Sequence, residues 1–375
     1  MTTANRFSIF LFIATLLAGC AATDSRDTDT ANLHETLKLL AAKHGVCNVA
    51  VAVAIIKDRK LDSVDTAVGC KPALALNSDS VFQAASLSKP VFAYAVLKLV
   101  QEGKLDLDAP VVQYLPKGYL HQFQPYLPAS KTDLVTDLRL QKVTVRMALN
   151  HTSGLPNWTQ GPLTFDSSPG EKWHYSGEGY ALLQRAIEAV TNERLDKFMD
   201  AQVFKPLDMR QSSFIWSNQF EINLIPGTTK DGVPTMPWHF STPVSAYSMY
   251  SNAEDYGKFL AAVLNDKRAI SQIINTPATV NPKLDLFWGL GWGIEQHEND
   301  RFIWQWGNNP GYRAFVFASV RTGNGFVMLT NSEVGLTLAE PITQKILPGT
   351  HKVFRSHILR EGLDNLVCET LDICL

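Results

Sequence analysis

Apolar and polar positions along this chain fall into patterns that predict most of its elements. Residues 49–56 and 61–68 read as two strands around a turn at Asp58-Arg59, a hairpin near the start of the chain. Just before it, residues 33–43 place Leu37, Leu39 and Leu40 among polar neighbours at helical spacing. The run after Pro90 (Val91, Phe92, Ala93, Ala95, Val96, Leu97, Leu99, Val100) is apolar nearly all round, which predicts a buried helix closed by Gly103. Residues 115–141 hold several prolines and little periodicity. Helices are expected over 143–149 and 179–190, and again over 195–203 before Pro206 breaks the pattern. Ser251-Asn252-Ala253-Glu254 reads as a capping box opening a helix that ends near Leu264. From Leu286 onward the chain turns Gly- and aromatic-rich. Strands are expected at 287–294, 302–306, 314–320 and 326–331, followed by a helix over 336–346.

Strands at both ends with helices between imply an α/β (α+β) fold, in which one antiparallel sheet is built from both termini and carries an inserted helical region. The expected division is a sheet region of 33–80 plus 285–346, a helical region of 81–284, and a C-terminal extension of 347–375.

The first residues change the picture. Arg6 precedes an apolar segment at 7–17, too short to span a bilayer but suited to a signal-peptide core. It ends in Leu17-Ala18-Gly19-Cys20, which resembles a bacterial lipoprotein signal. On that resemblance residues 1–19 are removed and Cys20 carries the lipid that holds the protein to a membrane, with residues 20–32 as a polar tether. Ala21 after the cysteine points to an outer-membrane address facing the periplasm in a Gram-negative source. Four cysteines remain for an oxidising compartment, with three possible pairings. Cys47 and Cys70 are equidistant from the hairpin turn and would face each other, leaving Cys368 and Cys374 to close a small loop. Free or differently paired thiols are the alternative.

Composition narrows the function by exclusion. The 375 residues are 45% hydrophobic and 19% charged, with a formal net charge of −2 and no basic stripe, so nothing favours nucleic acid. No Cys-x-x-Cys or His-Glu-x-x-His occurs, so no zinc site is suggested, and no cofactor is implied.

Candidate chemistry centres on Phe82-Gln83-Ala84-Ala85-Ser86-Leu87-Ser88-Lys89-Pro90. Ser86 and Lys89 stand three residues apart, so on a helix they share a face, and the amine can reach the hydroxyl. Burial would strip the lysine of its proton and make it a base. Ser-x-x-Lys alone is a common coincidence. Its companions are Leu149-Asn150-His151-Thr152-Ser153-Gly154-Leu155-Pro156, the Tyr175-Ser176 pair, and Gly307 followed by Pro310-Gly311-Tyr312. In that order they resemble the serine β-lactamase-like superfamily, which includes class C β-lactamases, D-Ala-D-Ala carboxypeptidases and esterases of the same fold. The similarity runs over about 33–346.

The resemblance implies an acyl-enzyme on Ser86, with Lys89 and Tyr175 handling the proton. It also implies an oxyanion hole built with the stretch Gln305-Trp306-Gly307-Asn308. Two family groups are missing. Tyr-x-Asn is replaced by Tyr175-Ser176-Gly177, where Glu178 is a candidate substitute or a plain helix-start carboxylate. The cationic residue of the third motif is replaced by Gln305, with Arg313 as a candidate replacement charge or a solvent-facing residue. Trp306 either lines the pocket or belongs to the core. Gly307 is expected to let the substrate approach the backbone, and His151 to hold the 154–156 turn. A literal Tyr250-Ser251-Asn252 is set aside, because Ser251 is expected to cap a helix. The expectation is an exported hydrolase of esters or D-amino-acid amides and peptides, acting on a small-molecule or peptidoglycan-derived substrate. A β-lactamase or penicillin-binding carboxypeptidase, and a decayed binding lipoprotein, are the alternatives.

Overall fold

A computed structural model describes residues 25–43, 50–69 and 76–359. The signal segment and Cys20, Cys47, Cys70, Cys368 and Cys374 lie outside the described residues. The chain begins with α1 (Ser25–Lys43) and the hairpin β1 (Ala50–Lys57) and β2 (Lys60–Val68). Asp58 and Arg59 both take positive φ, 48° and 62°, the primed turn whose twist matches a two-residue hairpin. Next come β3 (Phe82–Gln83) and α2 (Ser88–Gln101), which Gly103 terminates at φ 72°.

The middle of the chain supplies β4 (Leu120–Gln122), β5 (Thr132–Leu134), α3 (Val145–Leu149), α4 (Gly177–Thr191) and α5 (Leu195–Met199). After these come β6 (Tyr250–Ser251), α6 (Ala253–Asn265) and α7 (Lys267–Ile274). The sheet is then completed by β7 (Ala278–Asn281), β8 (Leu286–Trp288), β9 (Gly293–Gln296), β10 (Arg301–Asn309), β11 (Tyr312–Ser319) and β12 (Gly325–Thr330), and α8 (Ala339–Ile346) follows.

Eight strands form one antiparallel sheet in the order β2-β1-β12-β11-β10-β9-β8-β7. β1 pairs with β12, with Val53 opposite Met328, so the two chain ends share one sheet as expected. Alternation divides the core between two faces. Ala52, Ala54, Ala314, Val316 and Val327 pack toward the helical region with α2 and α6. Val51, Val53, Phe315, Phe317, Phe326 and Met328 face the other way, onto Leu37 of α1 and Ile342 of α8.

Several expectations need correction. The single strand at 287–294 is two strands, because Gly289 to Trp292 turn the chain back, with Gly289 N–H donating to Trp292 O at 2.8 Å. Asn252, not Ser251, caps α6: its Oδ1 accepts from Asp255 N–H at 2.8 Å, while Ser251 lies in β6 and bonds Ser212 and the Asn252 carbonyl. α1 starts at Ser25, inside the expected tether. The sheet begins at Ala278, ahead of the expected 285. Part of the expected extension belongs to the domain, since Val353 and Phe354 pack on the outer face of the sheet.

Candidate active site

The site forms where α2, the start of α4 and the end of β10 meet. Ala85 takes φ +49°, an uncommon value for a residue with a Cβ, and opens the short 3₁₀ turn Ala85–Leu87 that carries Ser86. The helix starts two residues beyond Ser86 rather than at it, and Pro90 falls in its first turn, where no N–H bond is lost. Ser88 pins the turn: its Oγ donates to Ala85 O at 2.6 Å and accepts from Met249 N–H at 3.1 Å.

Gly307 explains how closely β10 approaches. A Cβ there would sit 2.7 Å from the Ala84 carbonyl oxygen and 3.1 Å from Ala85 Cβ. The glycine admits the Ser86 turn.

Lys89 Nζ lies 3.1 Å from Ser86 Oγ and donates to Ala246 O at 2.9 Å. The side chain is 1% exposed, and burial lowers its pKa from 10.5 to about 7. Tyr175 covers it: the ammonium nitrogen is 4.6 Å from the centroid of the phenol ring. Burial pushes the Tyr175 phenol upward, against hydrogen bonds from Ser86 and Gln305 that favour ionisation. The nitrogen, not the phenolate, is therefore the base available near neutral pH.

Gln305 is fully buried, with Nε2 3.3 Å from Ser86 O and 3.5 Å from Tyr175 Oη. It holds the centre together without charge. Trp306 packs on Tyr175 at 4.8 Å between centroids and lines the cavity beside Asn308.

Three assignments change on the structure. Glu178 is buried but points away from Ser86: Oε1 accepts from Thr159 N–H at 3.0 Å, and Oε2 is 3.3 Å from His121 Nε2. Burial disfavours the charged imidazole, yet Glu178 and Asp133 outweigh it and raise the His121 pKa. Arg313 neither enters the cavity nor faces solvent. It is buried, and its Nη1 donates to the carbonyls of Asn309 and Tyr312, bracing the β10–β11 turn. His151 does not hold the 154–156 turn. Its Nδ1 accepts from Ser176 N–H at 3.0 Å and its ring lies 4.3 Å from that of Tyr175, so it fixes the Tyr175-Ser176 segment. Burial, reinforced by the Lys89 charge, pushes its pKa far down, so the imidazole is neutral. Tyr250 is remote from this chemistry, with its hydroxyl bonded to Phe240 N–H and the Trp238 carbonyl.

The cavity over Ser86 has a volume of about 500 Å³ and is walled by Phe123, Tyr126, Trp158, Trp238, Tyr247 and Trp306. Ala246 and the Trp158–Tyr247 wall are features of the site that sequence reading missed. A backbone carbonyl acceptor leaves no sequence signal, whereas Gly177 in place of an asparagine was a signal for the wall. A second hollow of about 550 Å³, lined by Asp200, Lys205, Asp208 and Arg210 among others, shares no lining residue with the Ser86 cavity. On the sheet's outer face Glu295, His297 and His351 bring their donor atoms within 4.8 Å of one another. There Glu295 accepts from the His297 imidazole at 2.5 Å and from Val353 N–H at 2.9 Å.

A serine, a buried lysine amine and a tyrosine converge at the mouth of a cavity, on an antiparallel sheet with an inserted helical region, the architecture of the β-lactamase/transpeptidase-like fold. The chain belongs to the Beta-lactamase family, whose family model matches residues 42–348. It is 31% identical over 172 residues to Esterase EstB of Burkholderia gladioli, covering 37% of this chain and 40% of that one. It is 23% identical over 302 residues to Penicillin-binding protein 4* of Bacillus subtilis, covering 69% and 62%. The chain thus spans about 40% to 62% of the length of these relatives. D-alanine carboxypeptidase AmpC from Burkholderia cenocepacia shares the fold with a TM-score of 0.68 at 19% identity, over 87% of this chain and 99% of that one.

Proposed function

We propose that the protein is a serine hydrolase that cleaves uncharged esters through an acyl-Ser86 intermediate. The observation that carries the reading is the Lys89 amine, buried and 3.1 Å from Ser86 Oγ, in a cavity whose lining holds no other cation among the described residues. Ser86 Oγ attacks the ester carbonyl carbon, and its proton passes to the neutral Lys89 amine. The carbonyl oxygen becomes an oxyanion facing the backbone N–H groups of Ser86 and Asn308. The carbon–alkoxy bond then breaks, and the leaving oxygen takes a proton from the Lys89 ammonium, with the protonated Tyr175 hydroxyl as hydrogen-bond donor. Water next gives a proton to Lys89 as its oxygen attacks the acyl carbon, and Ser86 leaves and recovers that proton.

Esters are favoured over β-lactams and D-Ala-D-Ala peptides by what the cavity lacks. Those substrates carry a carboxylate, and a missing charged hydrogen bond costs about 1.5–3 kcal/mol, roughly ten- to a hundredfold in rate. Gln305 supplies no charge, and Arg313 is committed to backbone carbonyls. D-Amino-acid amides are the second reading, since they too carry no carboxylate. Wild-type protein should hydrolyse p-nitrophenyl butyrate and Ser86→Ala should not, with nitrocefin and a D-Ala-D-Ala peptide turned over poorly by both. Undiminished turnover in the alanine variant would remove Ser86 as the nucleophile. Faster hydrolysis of D-phenylalanine amide than of the ester would favour the amidase reading.

We also infer that the chain is exported and held at a membrane by lipid on Cys20, a reading supported by the Leu17-Ala18-Gly19-Cys20 run. Cys20→Ser should move the protein from the membrane fraction to the soluble fraction of a bacterial host. An unchanged distribution would exclude the anchor.

A further inference from the structure

Gly177 stands where the family's second motif places an asparagine, and the structure shows what has taken that space. A Cβ at 177 would fall inside the Trp158 indole and lie 2.7 Å from the Asn157 carbonyl oxygen. Tryptophan and any side chain at 177 are therefore mutually exclusive. At the edge of the Ser86 cavity the indole occupies the space that a side chain at 177 would need.

The backbone on both sides of Trp158 is held in place. Asn157 accepts from Gly177 N–H through its carbonyl oxygen at 3.0 Å and through Oδ1 at 3.1 Å, and from Glu178 N–H at 3.1 Å. On the other flank Thr159 N–H donates to the buried Glu178 carboxylate at 3.0 Å. That carboxylate is anchored in turn by His121. Glu178 is thus a positioning residue for the loop. Trp158 remains 38% exposed and meets Tyr247 edge-on at 5.2 Å, while Tyr126 and Trp238 stack at 5.9 Å across the same cavity. A half-exposed indole on a fixed backbone, with its ring set between Gly177 and Tyr247, gives up little conformational entropy when a ligand covers it.

We propose that Trp158, with Tyr247, Tyr126 and Trp238, forms an aromatic subsite that binds a planar, uncharged apolar group of the ester cleaved at Ser86. The inference rests on the ester reading and adds the class of substituent. No carboxylate lines the cavity, and its single cation, Lys89, is engaged by Ser86 and Ala246. A group in the subsite is therefore selected by apolar area and ring contact.

Two matched pairs of substrates test it, one for each side of the ester bond. For the acyl side, p-nitrophenyl 4-phenylbutyrate is compared with p-nitrophenyl butyrate, and for the alcohol side, phenethyl butyrate with ethyl butyrate. In one pair the wild-type ratio of kcat/KM values should favour the phenyl member by about tenfold or more. Trp158→Ala should bring that ratio to about one, and Trp158→Phe should restore part of it. The ratio divides out any general loss of activity. A parallel measurement does not depend on turnover: titration of Ser86→Ala protein with 4-phenylbutanol should quench tryptophan fluorescence, and Trp158→Ala on that background should weaken binding about tenfold. If the phenyl ratios are near one in wild type, or survive in Trp158→Ala, the subsite is refuted. If no ester turns over, the ester reading fails, and the titration still decides the subsite.

Discussion

Replacing Lys89 by methionine should abolish turnover and yet make the protein more stable near neutral pH. Lys89 is buried, and its pKa falls from 10.5 to about 7 because the charged form is desolvated. Between those values the unfolded chain binds a proton that the folded protein does not, so the wild type is destabilised and its stability rises with pH. Each pH unit in that window is worth about 1.4 kcal/mol. The cost is therefore about 4 kcal/mol at pH 7 and about 2 kcal/mol at pH 9. Methionine keeps the unbranched apolar stem and removes the titration. It also leaves Ala246 O without its donor, a loss of about 1–3 kcal/mol that does not depend on pH. Urea unfolding of both proteins at pH 7, 8 and 9 should show the variant's advantage shrinking by about 2 kcal/mol across the series, whatever its absolute size. Parallel stability curves would refute the claim that Lys89 is held near its neutral form.

Three further outcomes follow from the same geometry. For an uncharged ester, kcat/KM should rise with pH through about 7, where burial places the Lys89 titration, and fall tenfold per unit below it. A flat profile from pH 5 to 8 would count against Lys89 as the base. Gly307→Ala should cut ester turnover at least a hundredfold, because its Cβ would press on the Ala84 carbonyl at 2.7 Å and shift the Ser86 turn; wild-type rates would show that the turn tolerates displacement. His351→Phe should destabilise the protein more at pH 6 than at pH 9. Burial opposes the charged imidazole, but Glu295, the Leu347 carbonyl and Asp300 together outweigh it and raise the His351 pKa, so that stabilisation is present at low pH and is lost as pH rises through the folded value. Melting temperatures of variant and wild type at both pH values decide this, and an equal loss at both would contradict it.

What could be read from the residues alone followed the range of the interactions. The β1–β2 hairpin was legible because strand pattern and turn are local, and Ser86 with Lys89 because residues three apart meet across one turn of chain, although Ser86 lies in the 3₁₀ turn ahead of α2 rather than on the helix itself. Tyr250 was set aside on the ground that Ser251 caps a helix, a ground the structure removes, while the position of Tyr250 away from Lys89 still separates it from Tyr175. Neighbouring cap formers misled: Ser251 and Asn252 are both good caps, and only backbone placement shows that Asn252 does the capping. The strand expected at 287–294 failed because a tight reversal at Gly289-Leu290-Gly291 keeps the apolar pattern while changing direction. Glu178 and Arg313 were beyond reach for another reason. Each is a buried charge whose partners, His121 and the carbonyls of the β10–β11 turn, are set by packing. That Trp158 fills the space beside Gly177 could be seen only with position 177 and a loop some twenty residues earlier brought together.

Intact-mass spectrometry after rapid acid quench tests the central claim most directly. Wild-type protein mixed with p-nitrophenyl butyrate should gain the mass of one butyryl group, and peptide mapping should place it on Ser86. Lys89→Met and Ser86→Ala should gain none. A butyryl group on another residue, or an adduct that persists in Ser86→Ala, would contradict the assignment of Ser86 and Lys89 as nucleophile and base.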